Sequence, residues 1–434
     1  MKESLFVQYI SKIFPKLGTL IGKVNGKRKK LTYLHKEMLR REYSADHKWT
    51  SAAVNTTYVA ADMVALDSPL PIKKRDSLGK ANGELPKIGL KYKLSESQIN
   101  EVNIMIAQGA KFEQIAKKLI NDSVKCSVGI DEKLEAAFLE GLSEGAVGIA
   151  DENNVGVAYR ADFGYLPDNC FGVSVVGHIA KEDVENVISR ADAKGVTLNY
   201  LFVADSTYKA LKQETWAKEL VANYNGVSYS NPTNLPVPTA SKFNEAFADE
   251  FGGIEINVVN RSVQGEKNGK SYSYKPWNAN KLIFLPTKEV GALVWATLAE
   301  VTNPVSGVVY EVVDEFKLIS KYSKNDPLEE FTSGQALVLP VIEGVDQIFS
   351  LDITDSQAVD TTAEGSDTGD VTVTVWGETY TKSGFVAALA ALGVKVSATA
   401  TDATIIKKVN ALSNEEEEKL KELAESALAE SSQS

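Results

Sequence analysis

Residues 68–98 read SPLPIKKRDSLGKANGELPKIGLKYKLSESQ and directly precede the first long amphipathic pattern of the chain. Prolines at Pro69, Pro71 and Pro86 fix φ and remove amide donors, and glycines at Gly79, Gly83 and Gly89 weaken any regular packing. Lysines, which resist burial, are spread along the stretch. The returning half alternates apolar and polar residues at Ile88, Leu90, Tyr92 and Leu94, the pattern of a strand. With the outgoing half, from about Val64, this predicts a long two-stranded excursion. An isolated hairpin is marginal in water, so the ribbon is expected to lie against something other than its own subunit.

Ser95 and Glu96 make a good helix start. Apolar side chains at Ile99, Val102, Ile106, Ala110, Ile115 and Leu119 then predict a helix of about twenty-five residues with a weak point at Gly109. A second helix is expected from near Asp131, burying Leu134, Ala137, Phe138 and Leu142 and ending at Gly145. Strands follow in AVGIADENNVGVAYR. From about Phe171 the texture becomes alternating helix and strand: helix KEDVENVISRADAKG, buried strand LNYLFVAD, and helix STYKALKQETWAKELVAN capped by Ser206. Helix ASKFNEAFADEFG and strands GIEINVVNR and KLIFLP complete an α/β region. Strands in EVGALVWATLAEV and VVYEVVDEFKLISKYS precede FTSGQALVLPV, whose apolar run is expected to be buried. Residues 1–63 show only short helical patterns, such as LTYLHKEMLRREYS, and are read as an arm. Near the C-terminus, DSQAVDTTAEGSDTGD has linker composition, and strand and helix patterns beyond it predict a small separate α/β module.

Charge is distributed unevenly along these parts. Residues 1–93 hold 19 Lys and Arg against 8 Asp and Glu, whereas residues 94–434 hold 28 against 50. A basic end on an acidic body favours attraction to another copy or to itself. The same acidic remainder repels polyanions, which argues against nucleic-acid binding as the main function even though Lys27, Arg28, Lys29 and Lys30 form a basic cluster. The most apolar N-terminal stretch, SLFVQYISKIFPKLGTLIG, is broken by Lys12, Pro15 and Lys16, unlike a signal peptide or membrane span. Cys126 and Cys170 lack disulfide or metal-ligand spacing and read as small buried hydrophobes. His35, His47 and His178 are too few and too scattered for a metal site. Phosphate-cradle and nucleophile-elbow motifs are absent from the sequence, and Trp295, inside an apolar strand, reads as core.

The order of parts is more informative than any motif. A basic arm, a ribbon running ALDSPLPIKKRDSLGK into a long helix, an α/β region, then VTNPVSGVVYEVVDEFKLIS and FTSGQALVLPVI resemble the major capsid proteins of tailed bacteriophages, of the capsid E type. The resemblance covers roughly residues 50–353 and implies an α+β chain with the Hong Kong 97-type fold. Its parts would be an N-terminal arm 1–63, an extended loop 64–97, and a peripheral domain 98–170 with 300–353 carrying a spine helix. An axial domain 171–299, a linker 354–370 and an appended module 371–434 would follow.

On this resemblance the chain is a structural protein without catalysis or cofactor, which self-assembles through hexamers and pentamers into an icosahedral head around the genome. Lys73, Lys74, Arg75, Lys80, Lys87 and Lys91 are the implied inter-subunit contacts of the loop. Lys73, Lys74, Lys80 and Lys87 are also of the type that forms isopeptide crosslinks in some members. Portal, scaffolding and decoration proteins are the implied further partners, packaged DNA is near only by proximity, and no membrane is involved. The implied location is the virion, assembled in the host cytoplasm. Competing readings are an encapsulin-like nanocompartment shell, a phage tail tube or sheath component, and an α/β enzyme centred on residues 171–299. The appended module, with 6 basic and 14 acidic residues in 355–434, is expected to face outward, because packaged DNA would repel it.

Overall fold

A computed structural model describes residues 33–53, 79–109, 112–150, 158–229, 231, 235–267 and 270–356, with 372–376, 378–381 and scattered positions from Phe385 to Ala424 beyond. The chain divides into two compact units, residues 1–172 with 177–354, and residues 173–176 with 355–434.

The larger unit opens with a single helical turn α1 (Leu34–Met38), strand β1 (Leu39–Tyr43) and strand β2 (Lys48–Ala53). The helix expected in LTYLHKEMLRREYS therefore holds only over Leu34–Met38, and Leu39–Tyr43 continue as strand. Met38, Leu39 and Trp49 are buried in the main core, and the energy of packing them outweighs local helix preference. Residues 33–53 accordingly belong to the body, which corrects the reading of 1–63 as an arm throughout. Strands β3 (Gly79–Glu84) and β4 (Lys87–Leu94) follow. Helices α2 (Glu96–Ala107) and α3 (Phe112–Glu144) come next.

The helix interruption sits where Gly109 predicts it, at φ +72°. The two predicted helices on either side of residues 121–130 are instead one continuous 33-residue helix. The stretch NDSVKCSVGI reads as a polar gap only in isolation. In the fold its small residues let the helix lie close on a sheet: a Cβ added at Gly129 would come within 2.9 Å of Leu90 Cδ1, and one added at Gly334 within 2.7 Å of Cys126 Cβ.

A hairpin of β5 (Ala146–Ala150) and β6 (Ala158–Asp162) leads to β7 (Cys170–Val173). Helix α4 (Lys181–Ala193), strand β8 (Tyr200–Ala204), helices α5 (Asp205–Leu211), α6 (Thr215–Tyr224) and α7 (Ala240–Glu250), and strand β9 (Glu255–Val259) form the α/β region. The single helix expected from STYKALKQETWAKELVAN is two, and it starts one residue before Ser206, with Ala204 in the cap position. Strands β10 (Val263–Lys267) and β11 (Lys270–Tyr274) pair as a hairpin before β12 (Lys281–Leu285). The remainder is β13 (Gly291–Ala296), α8 (Ala299–Thr302), β14 (Val309–Val313), β15 (Lys317–Lys324), β16 (Glu329–Ile342) and β17 (Phe349–Ser356).

Two sheets organise this unit. One runs β1-β13-β16-β15-β14, with β4 also paired to β16; the other runs β7-β17-β12-β8-β9. In the first sheet only the β1–β13 ladder is parallel; in the second, β8–β9 is parallel and β12 lies antiparallel to both β8 and β17. Strand β16 is buried along nearly all its length, as its apolar run predicts, because it has neighbours on both edges and α3 against it. One core joins the sheets: Leu134, Phe138 and Leu142 of α3 share it with Val338 and Leu339 of β16 and with Phe202 and Ile283 of the second sheet.

The smaller unit contains β18 (Thr372–Val375) paired with β19 (Glu378–Thr381). It buries Tyr380, Phe385, Leu389, Val409, Leu420 and Ala424 in a separate core.

Candidate assembly surfaces

The lysine-bearing ribbon is held by its own chain over much of its length. Strand β3 pairs antiparallel with β2, from Gly79 opposite Ala53 to Glu84 opposite Lys48. Strand β4 pairs residue by residue with β16, from Lys87 opposite Leu337 to Leu94 opposite Glu330. This corrects the expectation that residues 79–94 find no place in their own subunit. The physical reason is the alternation itself: Ile88, Leu90, Tyr92 and Leu94 are each half-buried, with Leu90, Tyr92 and Leu94 packed on apolar clusters beneath α2 and α3, while the intervening lysines stay exposed.

Those lysines take intrachain partners. Lys87 Nζ lies 3.8 Å from Glu300 Oε1, Lys93 Nζ 3.0 Å from Glu329 Oε1, and Lys91 Nζ 4.7 Å from the centre of the Phe331 ring. Each exposed pair contributes only about 0–1 kcal/mol, so the eight-residue ladder and the apolar face fix β4. Lys80 stands in β3 opposite Ala52. Lys73, Lys74 and Arg75 lie outside the described residues.

A polar stripe on α3 anchors the chain where the described N-terminal part begins, and sequence reading did not find it. Glu135 accepts hydrogen bonds from the amides of Leu34 and His35, at 3.0 and 3.1 Å, and lies 2.6 Å from His35 Nδ1. Both side chains are buried, and His35 Nε2 has no hydrogen-bond partner among the described residues. One turn earlier, Asp131 meets Lys36 at 2.8 Å through Oδ2 and Lys317 at 2.7 Å through Oδ1. Lys317 also pairs with Asp314 at 2.7 Å. Burial alone would raise the Asp314 carboxyl, but the Lys317 ammonium holds it below its ordinary value. Glu132 Oε1 accepts from Tyr33 Oη at 2.9 Å and from Arg261 Nη2 at 2.6 Å, and burial together with the Glu132 charge raises the Tyr33 phenol.

Asp131 and Lys317 are both 0% exposed, so neither can turn to water if the other is removed. The only signal in the sequence was the spacing of Asp131 and Glu135 by one helical turn, with Asp131 open to being read as a helix start.

A second buried pair lies on the helix-facing side of β15 and β16. Lys321 stands opposite Thr332, and Glu330 opposite Ser323, so the two are diagonal neighbours on one face. Burial pushes the Lys321 ammonium down to about 8 and the Glu330 carboxyl up to about 7. Nearby, burial pushes the Cys126 thiol up to about 12, which keeps it protonated and unreactive. Cys126 is fully buried, as expected of a small hydrophobe, and Cys170 is half-buried. Among the described residues no cluster of His, Cys, Asp or Glu could hold a metal ion, and no helix is long and apolar enough to cross a membrane.

A family model described as phage major capsid protein E matches residues 18–351. A search of curated proteins returns no match. Among solved structures, the chain is similar to a capsid protein of a prophage from E. coli CFT073, at 12% identity over 78% of this chain and 98% of that one, with TM-score 0.47. It is similar to the capsid of cyanophage A-1(L) at 10% identity, over 73% and 91% of the two chains, with TM-score 0.41. The SrpI encapsulin of Synechococcus elongatus PCC 7942 aligns at 10% identity over 78% and 92%, with TM-score 0.34.

Proposed function

The chain belongs to the phage major capsid protein E family, and we propose that copies of it assemble through hexamers and pentamers into an icosahedral head enclosing a genome. It is a structural, shell-forming protein and a component of the virion. The observation that carries the reading is the family match, which runs from residue 18 to residue 351 and so spans nearly all of the larger unit.

In this reading the fold is of the Hong Kong 97 type. The peripheral part comprises residues 98–170 and 300–353 with α3 as the spine, and the axial part residues 171–299. The extended loop lies within 64–97, its base being β3 and β4 on their own chain, and Lys73, Lys74 and Arg75 are its contacts with a neighbouring copy. The continuous core through α3 supports moving both parts as one body during assembly. Residues 371–434 are an appended module facing outward, joined by the linker 354–370. Portal, scaffolding and decoration proteins are the remaining partners, and assembly takes place in the host cytoplasm. The test is electron microscopy of the purified full chain. Closed particles or ring-shaped capsomers are expected; a monomer under every condition overturns the reading, tubes favour a tail component, and an enzyme cargo without DNA favours a nanocompartment.

A further inference from the structure

One groove in the body has charged side chains of mainly one sign along it, and the shell reading leaves it unused. Between α6 and α7 lies a concavity of about 400 Å³, lined by Trp216, Leu220 and the exposed Tyr224 together with Glu219, Asp249 and Glu250. A second, of about 320 Å³, shares Glu250 and continues past Glu185 and Asp192 over Ile188 and Phe251. Along the two, five carboxylates face one cation, Lys181, and that ammonium is already engaged by Glu185 at 3.2 Å and Glu250 at 2.5 Å. A lining that mixes apolar and acidic side chains suits a basic, amphipathic segment.

The chain carries one such segment. Residues 1–32 hold eight Lys and Arg against one acidic residue, whereas residues 54–78 hold three against three. Phe6, Ile10, Ile13 and Leu17 recur at intervals of three or four, with Lys12 and Lys16 between them and Lys27–Lys30 beyond. We propose that the groove formed by α4, α6 and α7 is the docking site for residues 1–32 of a neighbouring copy. A thirty-two-residue tether reaches at most roughly 110 Å when extended, enough to bridge adjacent subunits. An arm on one surface gripping a groove on another is a head-to-tail contact, the kind that repeats around a ring. The inference rests on the shell reading for its supply of neighbours.

The test uses three full-length variants, with the wild type forming particles under the same conditions as the control for the shell reading. In the first, Lys27, Arg28, Lys29 and Lys30 are all changed to Glu; in the second, Glu219→Lys is combined with Asp249→Lys; the third carries both sets. Each of the first two is expected to give at least tenfold fewer closed particles at low salt, with unchanged thermal unfolding. Mixed one to one, they are expected to recover to within about threefold of wild type, because the intact arms of one variant fill the intact grooves of the other.

Normal assembly of the groove variant overturns the proposal. So does failure of the mixture while the third variant assembles, since that places the arm on its own body. Should the groove variant fold poorly, a synthetic peptide of residues 1–32 added to wild-type chain decides: it lowers particle yield if the groove receives the arm, and an unchanged yield refutes docking.

Discussion

Replacing Asp131 with Asn isolates the buried anchor of α3 from everything else in the fold. The change keeps size and leaves Lys317, itself 0% exposed, with the part-exposed Asp314, Ser127 Oγ at 3.5 Å and the Phe316 ring 5.5 Å from its Nζ among the described residues. Breaking a buried pair in this way costs about 3–5 kcal/mol. The remaining Asp314 contact and the freedom of Lys36, whose side chain is 38% exposed, place the expected loss near the lower end, about 3 kcal/mol.

The larger unit, 1–172 with 177–354, holds 350 residues (172 plus 178), and an unfolding entropy of about 2.1 cal/mol/K per residue then converts the loss to a Tm lower by roughly 4 °C. Calorimetry and urea unfolding of the unassembled chain measure it. Asp131→Leu combined with Lys317→Met removes both charges, and the double variant is expected to lie within about 1 kcal/mol of wild type, far from the sum of the single changes. A loss below about 1 kcal/mol for Asp131→Asn, or additive losses in the double variant, would refute the claim that this pair is a mutually dependent buried unit.

Three further outcomes follow from the geometry. Glu330 titrates near 7 in the fold and lower when unfolded, so its contribution is full at acidic pH and is lost as pH rises through 7; Lys321, with its folded value near 8, restores stability only as pH rises from there towards its unfolded value. Urea midpoints are therefore expected to be lowest around pH 7–8, and Glu330→Gln to flatten the acidic limb, removing a fall of about 3 kcal/mol; an unchanged limb contradicts this. Gly334→Ala drives a Cβ to 2.7 Å from Cys126 Cβ, against 2.9 Å to the movable end of Leu90 for Gly129→Ala. The first is expected to destabilise by about 1–3 kcal/mol and the second by less, as read from Tm. Truncation after Ser356 removes the smaller unit's separate core and leaves the family-matched residues whole; particles of wild-type diameter are expected by electron microscopy.

Period and burial were legible wherever one element decides its own structure. KLIFLP, ALVLPV and KEDVENVISRADAKG fold as their patterns predict, because their apolar residues suffice to define a buried strand or an amphipathic face. Residues 39–43 depart from the helical pattern because their side chains suit a helix or a strand equally well, and the choice is made by β13, about 250 residues away. The join between the two predicted halves of α3 was invisible for the same reason. Cys126 and Gly129 look like weak helix formers until the sheet they must approach is present. The polar anchor was hidden more deeply, since a buried Asp or Glu differs from a solvated one only by partners such as Lys317 and Arg261, far along the chain.

The ribbon shows why charge alone does not say which molecule a segment belongs to. Lys87 and Lys93 have acidic neighbours, as the asymmetry of the chain predicts, yet those neighbours are Glu300 and Glu329 of the same subunit. Two long-range pairs of this strength choose nothing by themselves; the β4–β16 ladder chooses, and the charges conform. Once residues 79–93 are withdrawn from the positive end, the remaining excess falls almost wholly on residues 1–32, since residues 54–78 are balanced and residues 33–53 hold four basic against three acidic side chains. The long-range attraction that the sequence displays is thus a property of the arm more than of the ribbon. That relocation makes the arm, and not the lysines of the ribbon, the segment whose charge reversal most strongly tests how copies find each other.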